Sequence, residues 1–319
     1  MERIRKDGWS LPGLLSLAAA LLALIMVFPL KADTGRIPIS QVGATLLNPG
    51  TYYLTRDLDG SSQSITAVVN IASNNVTLDL NGHTITASSS SYCILDSGFM
   101  NCTVTHGRLV GGSMGVSVTS PGRVEVSHIR ASGQSGNGIY MVGDNYSSPC
   151  IPVIKDVTVY HPGGYGVFID KAAGGRLERV RVFHAGSSGL GLSNFNGGIV
   201  RDNVITNATN SALYLSASND NLILENVFGE ASQYGIDSVS SNGNSIVRND
   251  TSSNSGATAG IYIGGDNNTV DWNTSSANGT YGIQLTGSGN EYSDNRTQGN
   301  STAGIQDSGT GNINGGGNY

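Results

Sequence analysis

Charged side chains are scarce in this chain of 319 residues. Together they make up 13% of it, about half the usual share. The net charge is −6, and no basic stripe runs along the sequence, which argues against nucleic acid as a partner. An acidic polysaccharide remains open, because a local cationic patch would suffice. Cysteine is limited to Cys93, Cys102 and Cys150. Closely spaced Cys or His ligands are missing, so the sequence offers no zinc site, and none for another metal of that kind. Long apolar runs are missing too, apart from one at the N-terminus.

That one run covers residues 11–30 and follows Arg3, Arg5 and Lys6. A basic start before an apolar stretch reads as an export signal with cleavage after Ala32, residues 1–32 being the signal. The run is also long enough to span a bilayer, so an uncleaved anchor is the alternative, and the only membrane contact expected. Either way the body is expected to be secreted, periplasmic or on the cell surface. In such a compartment Cys93 and Cys102 could pair across neighbouring strands, leaving Cys150 over. The other reading is that all three are small buried apolar residues.

What is abundant is Gly, at 45 residues, about twice the usual share. High Gly with few charges can mean disorder, but Ile, Val and Leu recur to the end of the chain. They recur with a period. A small residue followed by alternating apolar positions appears as GVSV from Gly115, GIYM from Gly138, GVFI from Gly166 and GLGL from Gly189. It continues as ALYL from Ala212, GIDS from Gly235, GIYI from Gly260, GIQL from Gly282 and GIQD from Gly304. The spacings are 23, 28, 23, 23, 23, 25, 22 and 22. Asn203, Asn226, Asn249, Asn273 and Asn295 form a second column, and Asn221, Asn244, Asn268 and Asn290 a third.

The period selects the fold. Alternation within each unit means strands. A unit this short cannot hold the helix pair of an ankyrin or tetratricopeptide repeat. Three short strands with three turns per unit account for the length, so the expected fold is all-β: a single-stranded right-handed parallel β-helix of about ten coils. Residues 33–58 would form the N-terminal cap and first strands, and residues 59–319 the solenoid. Val116, Ile139, Val167, Leu190, Leu213, Ile236, Ile261, Ile283 and Ile305 should stack in one interior column. The Asn columns, with Asn75, are expected to be structural, occupying left-handed turn positions and bonding from coil to coil. His161 and His184 should stack in such a turn, with Asn207 and Glu230 following in the same column. Lys155, Glu178 and Arg201 fall in one column and Asp156, Arg179 and Asp202 in the next. Their signs alternate from coil to coil, which helps to set register.

The segment SNNVTLDLNGHTI, residues 73–85, resembles the opening coil of the right-handed β-helix repeat family, part of the pectate-lyase superfamily. The family includes the mannuronan epimerases and the maturation protein of the nitrous-oxide-reductase copper site. NPGTYYLTRDL, residues 48–58, is similar to its usual lead-in. The resemblance implies the fold; the superfamily spans lyases, hydrolases, epimerases and non-catalytic proteins. The Asp-Pro-His signature of the epimerases, the paired Asp of polygalacturonases and the Arg-rich strand of pectate lyases are all missing.

Candidate site residues come from the outward positions of the first strand in each coil. These include Tyr140, Phe168, Tyr214, Asp237 and Tyr262. Flat rings in a row can stack on the apolar faces of sugar rings, which makes these residues candidates for polysaccharide binding. The bland account is the ordinary preference of aromatics for strand surfaces. The 28-residue unit carries extra residues near 143–152. Asp144 and Tyr146 on that loop, with Asp170, Lys171 and Arg176 beyond the next strand, could serve a lyase or epimerase acting on uronic-acid polymers. A non-catalytic scaffold or adhesin is the remaining alternative. No organic cofactor is implied. Calcium is the one ion with candidate oxygen ligands, at Asp144, Asp170 and Asp237.

Overall fold

The computed structural model describes residues 35–119, 122–144, 149–256 and 259–319. The apolar segment 11–30 and Tyr146 lie outside these residues. Among the described residues every element is a strand, and no helix occurs that could cross a membrane.

The strands stack into three parallel sheets along one axis. The first sheet has twelve strands, from Ala44–Leu46 to Ala303–Asp307. Its register runs Val69, Ile94, Val116, Ile139, Val167, Leu190, Leu213, Ile236, Ile261, Ile283, Ile305. The expected interior column is therefore present in full. The stack has about 12 turns rather than ten. The first two depart from the signature of the others: Ala44 follows Gly43 where the others have a larger apolar residue, and Val68 takes the place of the small residue. A second sheet runs from Gly50–Leu54 to Ile313–Gly316. A third begins with Leu58–Gly60 and ends with Val227–Gly229, beyond which only single bridges at Asp250, Thr274 and Arg296 continue it. Each coil buries its apolar stripe only because its neighbours cover it.

The Asn columns are buried ladders. Asn226 donates from Nδ2 to Asn249 Oδ1 at 2.9 Å and to the Val200 carbonyl at 2.9 Å. Its own Oδ1 accepts from the amide and Nδ2 of Asn203. The pattern repeats through Asn249, Asn273 and Asn295. The second ladder runs Asn221, Asn244, Asn268, Asn290. A third, Asn254, Asn278, Asn300, was not anticipated.

The expectation that these Asn adopt left-handed backbone is corrected by the structure. The left-handed residue is the one before: Asp202, Glu225, Arg248, Trp272 and Asp294 have φ of 53–58°. Asn75 does meet the expectation: it has φ 59° and accepts at 3.1 Å from Asn101 Nδ2 in the next coil, although it is exposed and outside the buried ladders. The division of labour is physical. The stack imposes φ > 0 on the residue that opens the turn, and Asp, Glu, Arg and Trp all adopt it here. An Asn side chain supplies the two donors and the oxygen acceptor that each rung uses.

The cysteines are buried and unpaired with one another, so the Cys93–Cys102 bridge does not form. Cys93 Sγ faces the carbonyls of Val110 and Gly111, whereas Cys102 Sγ faces those of Ser73 and Met100. Burial pushes all three thiols up to about 12. The histidines stack as expected: His161 and His184 lie 4.7 Å apart with rings 3° from parallel. Asn207 continues their column by donating to Glu230 at 2.8 Å. Opposite charges also meet as expected, Arg179 with Asp156 at 2.7 Å and Arg201 with Glu178 at 3.2 Å.

Candidate functional site

The first sheet carries the outward row in the predicted order. Ser117, Tyr140, Phe168, Gly191, Tyr214, Asp237, Tyr262, Gln284 and Gln306 are successive register partners. Tyr140 and Phe168 stack with centroids 5.7 Å apart and planes 11° from parallel. Gly191 then breaks the row of side chains at its own position, because no side chain fits there. A Cβ there would meet the Tyr165 ring at 2.6 Å and the Phe168 ring at 2.9 Å. Tyr165, from the turn leading into the strand, packs against Phe168 at 5.0 Å and covers the glycine. Tyr234 joins Tyr262 in the same way at 5.6 Å.

A hollow of about 180 Å³ opens between this row and the preceding turns. Its lining is Tyr165, Ser188, Asn210, Ser211, Tyr214, Gln233 and Asp237. Burial pushes the Asp237 carboxyl up to about 6, and a hydrogen bond from Ser211 partly opposes that rise. The Ser211 amide in turn donates to Ser188 Oγ. A carboxyl tuned to this range exists in both forms in mildly acidic water, so it can give or take a proton. Two flat rings and several polar groups converge on it, which is the composition of a small-molecule or sugar subsite. Two further hollows, of about 260 and 430 Å³, sit against the first coils and hold no carboxylate, His or Lys.

The residues expected from the sequence divide by place. Tyr140, Phe168, Tyr214, Asp237 and Tyr262 share the row. Asp170 extends it two residues beyond Phe168, within the strand Val167–Ala173 and not beyond it as expected. It accepts from Asn194 Nδ2 at 2.9 Å. Burial, with the Asp170 charge as a smaller cause, raises Tyr140. Lys171 also lies within that strand and kinks it with φ 54° before pairing resumes at Ala172. Arg176 opens a strand of the second sheet, where it lies 3.7 Å from Glu178, off the aromatic row. Asp144 is exposed where the long loop leaves the sheet, and Tyr146 falls outside the described residues. Three strand spacings, about 14 Å, separate the coils of Asp170 and Asp237, too far to share one calcium ion. Among the described residues no three such side chains gather as a metal site.

Tyr165 and Tyr234 were not identified from the sequence. Their signal was available: a Tyr directly precedes the small residue of the repeat at Gly166, Gly235 and Gly282.

Solved structures with this architecture include a periplasmic alginate epimerase, AlgG, at TM-score 0.59 and 12% identity. That match covers 81% of this chain and 64% of the other. The A-module of the Azotobacter vinelandii mannuronan C-5 epimerase AlgE6 matches at 0.55 and 14%, covering 89% of each chain. The Dettilon tailspike protein matches at 0.56 and 15%, covering 85% of this chain and 59% of the tailspike. Identities this low speak to the fold. The chain thus spans less than two thirds of the AlgG structure it matches. No curated protein matches it in sequence. Residues 58–251 match the right-handed beta helix region, and the chain belongs to that family.

Proposed function

We propose that the first sheet is a polysaccharide-binding track, centred on the hollow between Tyr165, Tyr214 and Asp237, and that the protein works outside the cytoplasm. One observation carries the reading: a carboxyl held near 6 faces outward between aromatic rings in an unbroken row of register partners. Rings take the apolar faces of sugars, while Asp237, Asn210 and Gln233 meet their hydroxyls. The solved structures of like fold include proteins named as alginate and mannuronan epimerases, which supports a glycan as the partner.

The test is affinity electrophoresis and calorimetry against a panel of neutral and uronic polysaccharides. Tyr214→Ala and Asp237→Asn should each weaken binding of the retained polymer by about tenfold or more. Equal affinity for wild type and both variants would remove the assignment.

A second reading, chemical action on the bound glycan as a lyase or epimerase of uronic polymers, draws on the same carboxyl. If Asp237 transfers a proton, product formation follows pH with an inflection near 6 and is lost in Asp237→Asn. Ultraviolet absorbance of unsaturated ends reads the lyase, and proton NMR of the treated polymer reads the epimerase. No product by either method leaves binding as the whole activity.

A further inference from the structure

We infer that the third sheet carries a second, separate docking surface for an anionic polysaccharide. Its outward row runs Thr84, Arg108, Arg130, Thr158, Arg181 in register. All three arginines are exposed. Arg108 and Arg130 are direct partners, one strand spacing of about 4.8 Å apart, and Arg181 lies two spacings further along. Among the described residues no ion pair engages any of the three. Asp57 is bonded to His83 and the Thr84 amide, and Asp156 to Arg179, and each attracts an arginine of the row only at longer range, Asp57 attracting Arg108 and Asp156 attracting Arg181.

This placement contradicts the habit of the rest of the molecule. In the column Lys155, Glu178, Arg201 the signs alternate, which lets neighbouring coils attract. Arg108 beside Arg130 does the opposite, and like charges on facing strand positions cost stability. A fold of net charge −6 therefore holds two guanidinium groups side by side at a cost to that strand pair.

The next outward column supplies a stacking platform. Tyr160 and Phe183 stack at 5.0 Å and 18°, and the Arg130 guanidinium lies 4.7 Å over the Tyr160 ring. His161 and His184, directly after them, form the parallel pair already described. Guanidinium forks pair with carboxylate or sulfate groups, and the rings take the sugar faces between them. A polyphosphate is the poorer fit, because the acidic remainder of the protein repels a densely charged strand. The inference does not rest on the first-sheet reading, since no residue is shared.

The experiment uses the full chain carrying Tyr214→Ala and Asp237→Asn, so that the first sheet is disabled. Binding is measured by calorimetry with polyuronate, a sulfated glycan, neutral dextran and a single-stranded oligonucleotide. The expected result is retention of polyuronate or sulfated glycan, weakened by about 0.5 M salt. Adding Arg108→Gln, Arg130→Gln and Arg181→Gln should then reduce that affinity by about tenfold or more. The circular-dichroism spectrum should not change, as these side chains are exposed. Preference between the two anionic polymers names the acid group. Undiminished binding in the Gln variant, no binding in its parent, or equal binding of dextran or the oligonucleotide would each overturn the assignment.

Discussion

The N-terminal and C-terminal coils are held together by different means. At the turn between the second and third sheets, the buried residue following the left-handed one is Ile129, Val157, then Val180. One coil later it becomes Asn203, and it stays Asn to Asn295. The Val180 amide donates to Asn203 Oδ1, which joins the two regimes. The same exchange occurs twice more. Gly198 is followed by Asn221, and Ala231 by Asn254. The third-sheet core changes with them, from Val182, Ile205 and Phe228 to Thr251, Ser275 and Thr297. There the strand pairing dwindles to isolated bridges. Apolar side chains hold a coil by excluding water, whereas amides hold it by directional bonds.

This contrast can be broken most severely in the middle of a ladder. Asn249→Ala removes bonds to Asn273, Ile223 and Asn226 while leaving their polar groups buried. A loss of about 3 kcal/mol in urea unfolding is expected, since each orphaned buried group costs about 1–3 kcal/mol. A loss below about 1 kcal/mol would mean that the ladder merely accompanies the stack.

The apolar half has its own exception, Asp96. It faces inward in register with Ile71 and Val118. It accepts from the Phe99 amide through Oδ1, while Oδ2 has no hydrogen-bond partner. Burial pushes its carboxyl up to about 6 from 3.8. The folded state therefore favours the protonated form, and stability falls as pH rises from about 4 to about 6 and stays low above that. Asp96→Asn should restore about 2–3 kcal/mol at pH 7 and almost nothing at pH 4. Urea midpoints at both pH values decide it. A pH-independent effect would place the charge in contact with water.

Gly191→Ala probes the outward face. The added methyl must displace Tyr165, costing about 1 kcal/mol of stability but several-fold in glycan affinity. Retained affinity would detach Tyr165 from the site. The gentlest change is Val180→Asn, which extends the ladder by one rung toward the apolar half. Stability should move by less than about 1 kcal/mol, because Asn203 Oδ1 lies beneath as an acceptor. A large loss in this variant would show that the boundary between the two regimes is fixed by packing.

The repeat made the register legible. Every member of the interior column from Val116 to Ile305 falls where its spacing places it, because a slip of one residue would turn its apolar set outward. The aromatic row was legible for the same reason. Tyr165 and Tyr234 were not, because they reach the row from a turn, where alternation no longer dictates direction. Asp96 escaped because a lone Asp within an apolar run reads as the strand's end. The backbone of the ladder Asn was not legible because Asn is among the few non-glycine residues that readily take the left-handed conformation, yet here the stack imposes it on Arg248 and Trp272 instead.

Each ladder rung points one way, accepting from the coil before and donating to the coil after. Such a rung is indifferent to which coil supplies its partner. Excising residues 273–294 would set Asn295 beneath Asn249, amide meeting amide as before, and a duplicated unit would splice in equally well. Length in this part of the molecule is thus a free variable for evolution, whereas the hollow around Asp237, which draws on four consecutive coils, is not.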